Sequence, residues 1–242
     1  MTNHKAIAKS PVRMKLRSDF IDITPLVSSR LGVFPGDRSF RQDISMDFKN
    51  DDHLLLSSIE TTLHIGAHAD GPNHYIPDGQ AIADRDLGIY MGRCLVLHAK
   101  APKGARIERE HLHEKWADTK KWGASRILVR TDSFPDPEKW NSDFSSLSPQ
   151  LISDWAESGV CLVGIDTPSI DPEDSKLLES HQVVAQYDLA ILEGVVLSHV
   201  REGYYTLVAL PLRLEGADAA PVRAVLFKDS TLLEMAEVEA PI

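Results

Sequence analysis

The chain has 242 residues, 43% hydrophobic and 26% charged, with a formal net charge of −10 and a pI near 5.4. That length buries a sizeable core, and the composition is that of a globular protein rather than a disordered one. The acidic balance argues against non-specific nucleic-acid binding, and no apolar run approaches the roughly 20 residues that span a bilayer.

Residues 1–18 are basic and polar with no apolar h-region, so they read as an N-terminal arm without a secretory signal, ahead of one domain over 19–242. Phe20–Thr24 reads as a short strand, and Val33-Phe34-Pro35-Gly36-Asp37 as a turn whose Phe34 is a core anchor or a substrate platform. Ser39–Asp47 and Leu54–Leu63 follow as strands, the second running into a histidine-rich stretch. Beyond it, Ile76–Gly79 is a turn and Arg93–Ala99 an apolar strand. Ile107–Asp118 has helical character, with His111 and His113 left to solvent. Ser125–Thr131 is a strand and Asp132–Ser146 a loop. Ser148 as N-cap and Pro149 at the first helical position start a helix through Trp155, ended by Gly159.

Val160–Asp166 reads as a buried strand leading into turn formers, where Asp166 and Asp171 cap turns. A brief helix is expected over Asp174–Glu179, and Gln182–Leu192 fits either helix or strand. The runs GVVLSHV, YYTLVALPL and VRAVLFK of the last third are expected strands. Cys94 and Cys161 lie in apolar runs and read as free core thiols, which points to the cytoplasm, although a single disulfide between them stays open. Strands outnumber helices, and two helices each precede an apolar strand. The expected fold is therefore α/β, a single domain with a mixed sheet flanked by a few helices.

Chemistry concentrates in Thr62–Tyr75, where three of the ten histidines fall between His64 and His74 with Asp70 among them. Imidazole and carboxylate are the ligands of zinc and related divalent ions. His64, Gly66, His68 and Asp70 alternate, so a strand would turn them to one face. A straight strand, however, separates the Cα atoms of His64 and His68 by roughly 13 Å, too far for two bonds of about 2.0–2.1 Å. Gly66 is the expected bend, giving a kinked strand that runs into a loop. By residue type alone, His98, His181, His199, Glu193, Asp166 and Asp171 are all candidates to complete the set.

HIGAHADGPNH, with VGIDTPSIDPEDSK, ESHQV, ILEGVVL and YYTLVALPLRLEGADAAPVRAVL, resembles the bacterial metal-dependent kynurenine formamidases of the cyclase-like hydrolase family. The likeness runs from about Phe20 to Phe227. It implies a swivelling β/β/α-like fold, a homodimer or larger assembly, and two Zn2+ per subunit, with Mn2+ or Co2+ equally suited to such ligands. One metal would be held by His64, His68, Asp70 and Glu193, and the other by Asp70, His181 and Glu193. His74 would be the general acid and base, and Phe34 would contact substrate. The implied reaction is attack of a metal-activated hydroxide on an N-formyl arylamine, N-formyl-L-kynurenine in the first place. A related hydrolase opening a cyclic amide such as isatin, or a metal-binding module without turnover, are the alternatives; a serine hydrolase is disfavoured because no Gly-x-Ser-x-Gly elbow occurs. Two positions depart from the family pattern: Ala67 stands where threonine is usual, and Phe34 where tryptophan is.

Overall fold

The structure, a computed structural model, describes residues 20–113 and 123–228. The proposed arm, and the part of the expected helix beyond His113, lie outside the described residues. The strands are β1 (Phe20–Asp22), β2 (Arg41–Met46), β3 (Leu56–Glu60), β4 (His68–Asp70), β5 (Met91–His98), β6 (Arg106–Ile107) and β7 (Arg126–Arg130). They continue with β8 (Ser146–Leu147), β9 (Leu162–Ile165), β10 (Ala190–Glu193), β11 (Gly203–Val208), β12 (Ala219–Pro221) and β13 (Val225–Lys228). Two α-helices are described, α1 (Pro149–Glu157) and α2 (Glu179–Gln186).

Nine strands form one curled mixed sheet in the order β1-β13-β11-β5-β7-β9-β10-β4-β12. The central β5, β7, β9 and β10 are parallel, and the flanking pairings are antiparallel. This is the expected single-domain α/β architecture. The parallel strands read as continuous apolar runs because both of their faces are covered. On β5, Leu95 and Leu97 face a core shared with Leu151, Ile152 and Trp155 of α1 and Val184 of α2. Cys94 and Val96 face the other side, where the curling sheet closes on itself around Ala69, Leu192, Leu207 and Leu226. Cys94 is buried, Cys161 half-buried, and both are free thiols, so no disulfide joins them. No helix among the described residues is long and apolar enough to cross a membrane.

Four local expectations are corrected. Ile107 pairs with Leu147 in a short parallel ribbon instead of opening a helix, and Arg109–His111 is a single 3-10 turn. His111 is half-buried there, its Nδ1 accepting from the Glu108 amide at 2.9 Å. Residues 174–178 form no helix: the Leu178 amide donates to Ser175 Oγ, and α2 begins only at Glu179. GVVLSHV is not a strand. After β10 the chain turns at Gly194 (φ +65°), and Val195, Leu197 and Val200 bury themselves as a loop against the closed side of the sheet.

The β2–β3 ribbon stands apart from the main sheet and is exposed along almost all its length. Its register pairs Gln42 with Ile59 and Ile44 with Ser57. Ile44 and Ile59 therefore share one face, both more than half exposed, and Arg41, Asp43 and Glu60 share the other.

Candidate metal centre and its cavity

Gly66 is the bend. Its φ of +57° lies in the left-handed region that a side chain disfavours, and it breaks the strand so that β4 starts only at His68. The kink brings the rings of His64 and His68 to a centroid separation of 5.0 Å. The chain leaves β4 through Gly71 into a 3-10 turn, Pro72–His74, which carries His74 back to 4.2 Å from the His64 ring.

Glu193 arrives by strand pairing. β10 runs antiparallel to β4 with Glu193 opposite His68, so the two side chains share a face and Glu193 Oε2 lies 3.2 Å from His68 Nε2. The Glu193 carboxylate is itself held by the Ile170 amide at 2.7 Å. That face looks toward the helices, and α2 delivers His181, whose Nε2 lies 3.6 Å from Asp70 Oδ2 and 3.8 Å from Glu193 Oε1. His64 Nδ1 lies 3.1 Å from Asp70 Oδ1. Thus the structure brings together His64, His68, Asp70, His181 and Glu193, with His74 beside them. The other candidates by type fall elsewhere. His98 Nε2 bonds to the Val200 carbonyl, His199 Nε2 to the Asp22 carbonyl, and Asp166 caps the Thr131–Asp132 turn.

The donor set fits a divalent ion. Ligand atoms of His68, Asp70 and Glu193 lie within 4.8 Å of one another, as do those of His64, Asp70 and His74. Both oxygens of Asp70 and the Nε2 of His68 are buried without a hydrogen-bond partner, a costly arrangement for atoms of this polarity unless a cation completes it. Each ligating-type imidazole is also tethered from behind. His68 Nδ1 donates to the Gly66 carbonyl (2.9 Å), His181 Nδ1 pairs with Asp171 Oδ2 (2.8 Å), and His64 Nε2 pairs with Asp218 Oδ2 (3.0 Å). Such outer partners set the tautomer and aim the other nitrogen at a metal.

The carboxylates of the cluster raise the proton affinity of the imidazoles beside them. Burial opposes an imidazolium at His64, but the neighbouring carboxylates of Asp70 and Asp218 outweigh it and hold His64 up to about 9. His181 is likewise pushed up to about 10: burial works against it, and Asp171, Asp70 and Glu193 prevail. Asp70 is held well below the usual carboxylate range: burial would raise it, and the nearby imidazoles of His181, His64 and His68 outweigh that cost.

Above the cluster opens a cavity of about 510 Å³ at the carboxyl ends of β7, β9 and β10, the usual place for a site in a parallel sheet. Phe34 lines it, 38% exposed, in an edge-on contact with Trp140 at 5.2 Å. Trp140 and Asp218 escaped the sequence reading, and Asp171 has a role other than those expected of it. Trp140 continues the aromatic wall to Phe134, Asp218 stands 3.5 Å from His74 Nδ1 as well as behind His64, and Asp171 holds His181. Asp171, by type a ligand candidate and by position a turn cap, here tethers the His181 imidazole. Trp140 and Asp218 sit in a loop and beside an edge strand, where no spacing pattern marks them.

The family model described as "Putative cyclase" matches residues 21–172. The kynurenine formamidase of Delftia acidovorans is 43% identical over 205 residues, 85% of this chain and 95% of that protein. The kynurenine formamidase of Bordetella pertussis is 45% identical over 205 residues, 85% of this chain and 96% of its own length. Among solved structures, isatin hydrolase A from Labrenzia aggregata, bound to benzyl benzoate, superposes with a TM-score of 0.72 at 18% identity, covering 86% of this chain and 93% of that one. At that identity the likeness is one of fold.

Proposed function

The chain belongs to the cyclase family, and on that premise we propose that it is a divalent-metal-dependent amide hydrolase that converts N-formyl-L-kynurenine and water to L-kynurenine and formate. The observation that carries this reading is the group of partnerless buried donors on Asp70 and His68, converging with Glu193 beneath a cavity with an aromatic wall. In this reading His64, His68, Asp70 and Glu193 hold one zinc ion, and Asp70, His181 and Glu193 hold a second. Bound there, the metal supplies a water of lowered pKa and positive charge for the oxyanion that develops on the formyl oxygen.

The chain's own groups do the rest. Phe34 and Trp140 offer ring faces and edges to the aryl group of the substrate. His74 lines the cavity at the edge of the cluster, with its side chain 34% exposed against 2% for His68, so it can exchange protons with bound substrate. With Nδ1 turned toward Asp218, Nε2 is left to take a proton from the attacking water and to give one to the departing aryl nitrogen. Cleavage of the C–N bond then releases the amine and formate. Phe34 provides no N–H where an indole would, and Ala67, buried against the closed side of the sheet, has no hydroxyl to turn toward a ligand.

The test is formate release from N-formyl-L-kynurenine before and after exhaustive chelation, with isatin assayed in parallel. Activity is expected to vanish with the metal and to return on adding Zn2+, Mn2+ or Co2+. Survival of activity without metal would refute the reading, and turnover of isatin alone would move the substrate to cyclic amides. Retained metal without hydrolysis of either would leave a binding module.

We also propose that the enzyme works as a homo-oligomer. A two-stranded ribbon is marginal by itself. Ile44, Ile59 and the exposed Phe48, Leu55 and Leu56 place roughly 500 Å² of apolar surface on one arm, a large part of the ~800 Å² that each partner of a standard interface buries. A second copy covering this arm would shield it. Light scattering on Ile44→Lys/Ile59→Lys should then report a smaller species than the parent protein, and an unchanged mass would dismiss the arm as the interface.

A further inference from the structure

The cavity wall is acidic, with Asp37, Asp132, Asp166, Glu173 and Asp218 around the cluster itself. Most of these carboxylates already hold a donor: Asp37 accepts from Thr62 Oγ1, Asp132 from Arg130 Nε and Asp166 from Thr131 Oγ1. Against them stands Lys176, the single lysine or arginine among the described lining residues. Its ammonium has no ion pair or hydrogen bond with any described residue. Away from the imidazoles of the cluster, an anionic group entering this cavity meets a positive side chain only at Lys176.

Three residues away on the same loop between β9 and α2 lies Glu173. Its Oε2 accepts from Trp140 Nε1 at 2.9 Å, while Oε1 has no partner among the described residues. The indole thus ties this carboxylate to the aromatic wall formed by Phe34, Trp140 and Phe134. An aryl ring against the wall would place its side chain beside a fixed carboxylate and an unpaired ammonium.

We propose that Lys176 and Glu173 form a subsite for a zwitterionic amino acid, Lys176 taking the α-carboxylate and Glu173 the α-ammonium. The subsite selects aryl formamides that carry an amino acid end over those that do not. This rests on the formamidase reading of the same cavity, with the added claim that specificity resides in the loop over 168–178. Charge-assisted hydrogen bonds of this type are the strong ones, and Lys serves them as a point charge.

The test compares kcat/KM on N-formyl-L-kynurenine and on 2-formamidoacetophenone, which has the same ring, ketone and formamide without the amino acid. The metal-loaded parent should prefer the first substrate. Lys176→Met should reduce that preference about tenfold, chiefly through KM, and Lys176→Arg should restore most of it. Glu173→Gln should lower the preference as well. Calorimetry with L-kynurenine needs no turnover, and its affinity should fall about tenfold in Lys176→Met. An unchanged substrate ratio together with unchanged L-kynurenine affinity would overturn the subsite. Inactivity of the parent on both formamides, with L-kynurenine binding still dependent on Lys176, would sink the reaction and leave the subsite standing.

Discussion

Replacing Asp171 by asparagine removes one charge and one acceptor from a fully buried position that serves two tasks. The α2 helix begins without a capping side chain, since Leu178 precedes it in a left-handed conformation (φ +49°). Asp171 substitutes from a distance, accepting from the amides of Ser180 (3.0 Å) and His181 (3.1 Å). The same carboxylate holds His181 Nδ1 at 2.8 Å and meets Arg106 Nη1 at 3.1 Å. Burial would raise its pKa, yet these bonds, His181 foremost, hold it below the usual carboxylate range, so it carries a full charge at neutral pH. Asparagine keeps the shape, but its NH2 must face either the Arg106 guanidinium or the helix amides and imidazole, all of them donors. Losing one or two charge-assisted bonds, partly recovered by the remaining oxygen, should cost about 2–4 kcal/mol. For a chain of this size that is a fall in Tm of roughly 5–12 °C. An outer partner of a metal-ligating histidine is also worth about 10–100-fold in metal affinity. Thermal unfolding of the metal-free variant and metal titration of the folded one measure the two effects separately. A variant with parental Tm and parental affinity would show that Asp171 neither caps α2 nor orients His181.

On the proposed role of His74 as proton carrier, His74→Ala should keep its metal by elemental analysis while losing about 100-fold or more in kcat; loss of metal would make His74 a ligand. Metal affinity should rise with pH. Neighbouring carboxylates hold His64 up to about 9 and His181 to about 10, so at pH 7 each of the two proposed ions displaces one proton, and competition with a chromophoric chelator should tighten by up to about tenfold per ion and pH unit toward pH 9. A flat profile would contradict the proton-held cluster. By the same values, the metal-free protein draws stability from these histidines fully below the ordinary value of 6.5, and loses it as pH rises through 9 to 10. Gly194→Ala would put a Cβ into the Gly66 carbonyl, at a positive φ, and should cost about 2–5 kcal/mol by thermal melt while pulling Glu193 from His68.

Much of the site was legible because its center is local. HIGAHADGPNH carries three histidines, an aspartate and its own hinge, and the roughly 13 Å reach of a straight strand between His64 and His68 already required a bend at Gly66, where the backbone turns left-handed. Ser148 and Pro149 start a helix by bonds made within one turn, and Ser148 does accept from the Leu151 amide. The misreadings share a cause. GVVLSHV is apolar because it is buried, not because it is paired, and a buried loop and a buried strand have the same composition. Arg106 and Ile107 follow a partner strand 40 residues away, which overrides the helical pattern expected to start at Ile107.

Neighbours within a few residues are enough to set the alternation of apolar strands, the hinge and the chemistry of the His and Asp cluster, so the amino-acid order alone shows them. Long-range packing is what puts Glu193 opposite His68, lets Asp171 cap one helix while aiming His181, and brings Asp218 behind His64. Those contacts join residues 10 to 154 positions apart, where strand register and sheet curl set the distance.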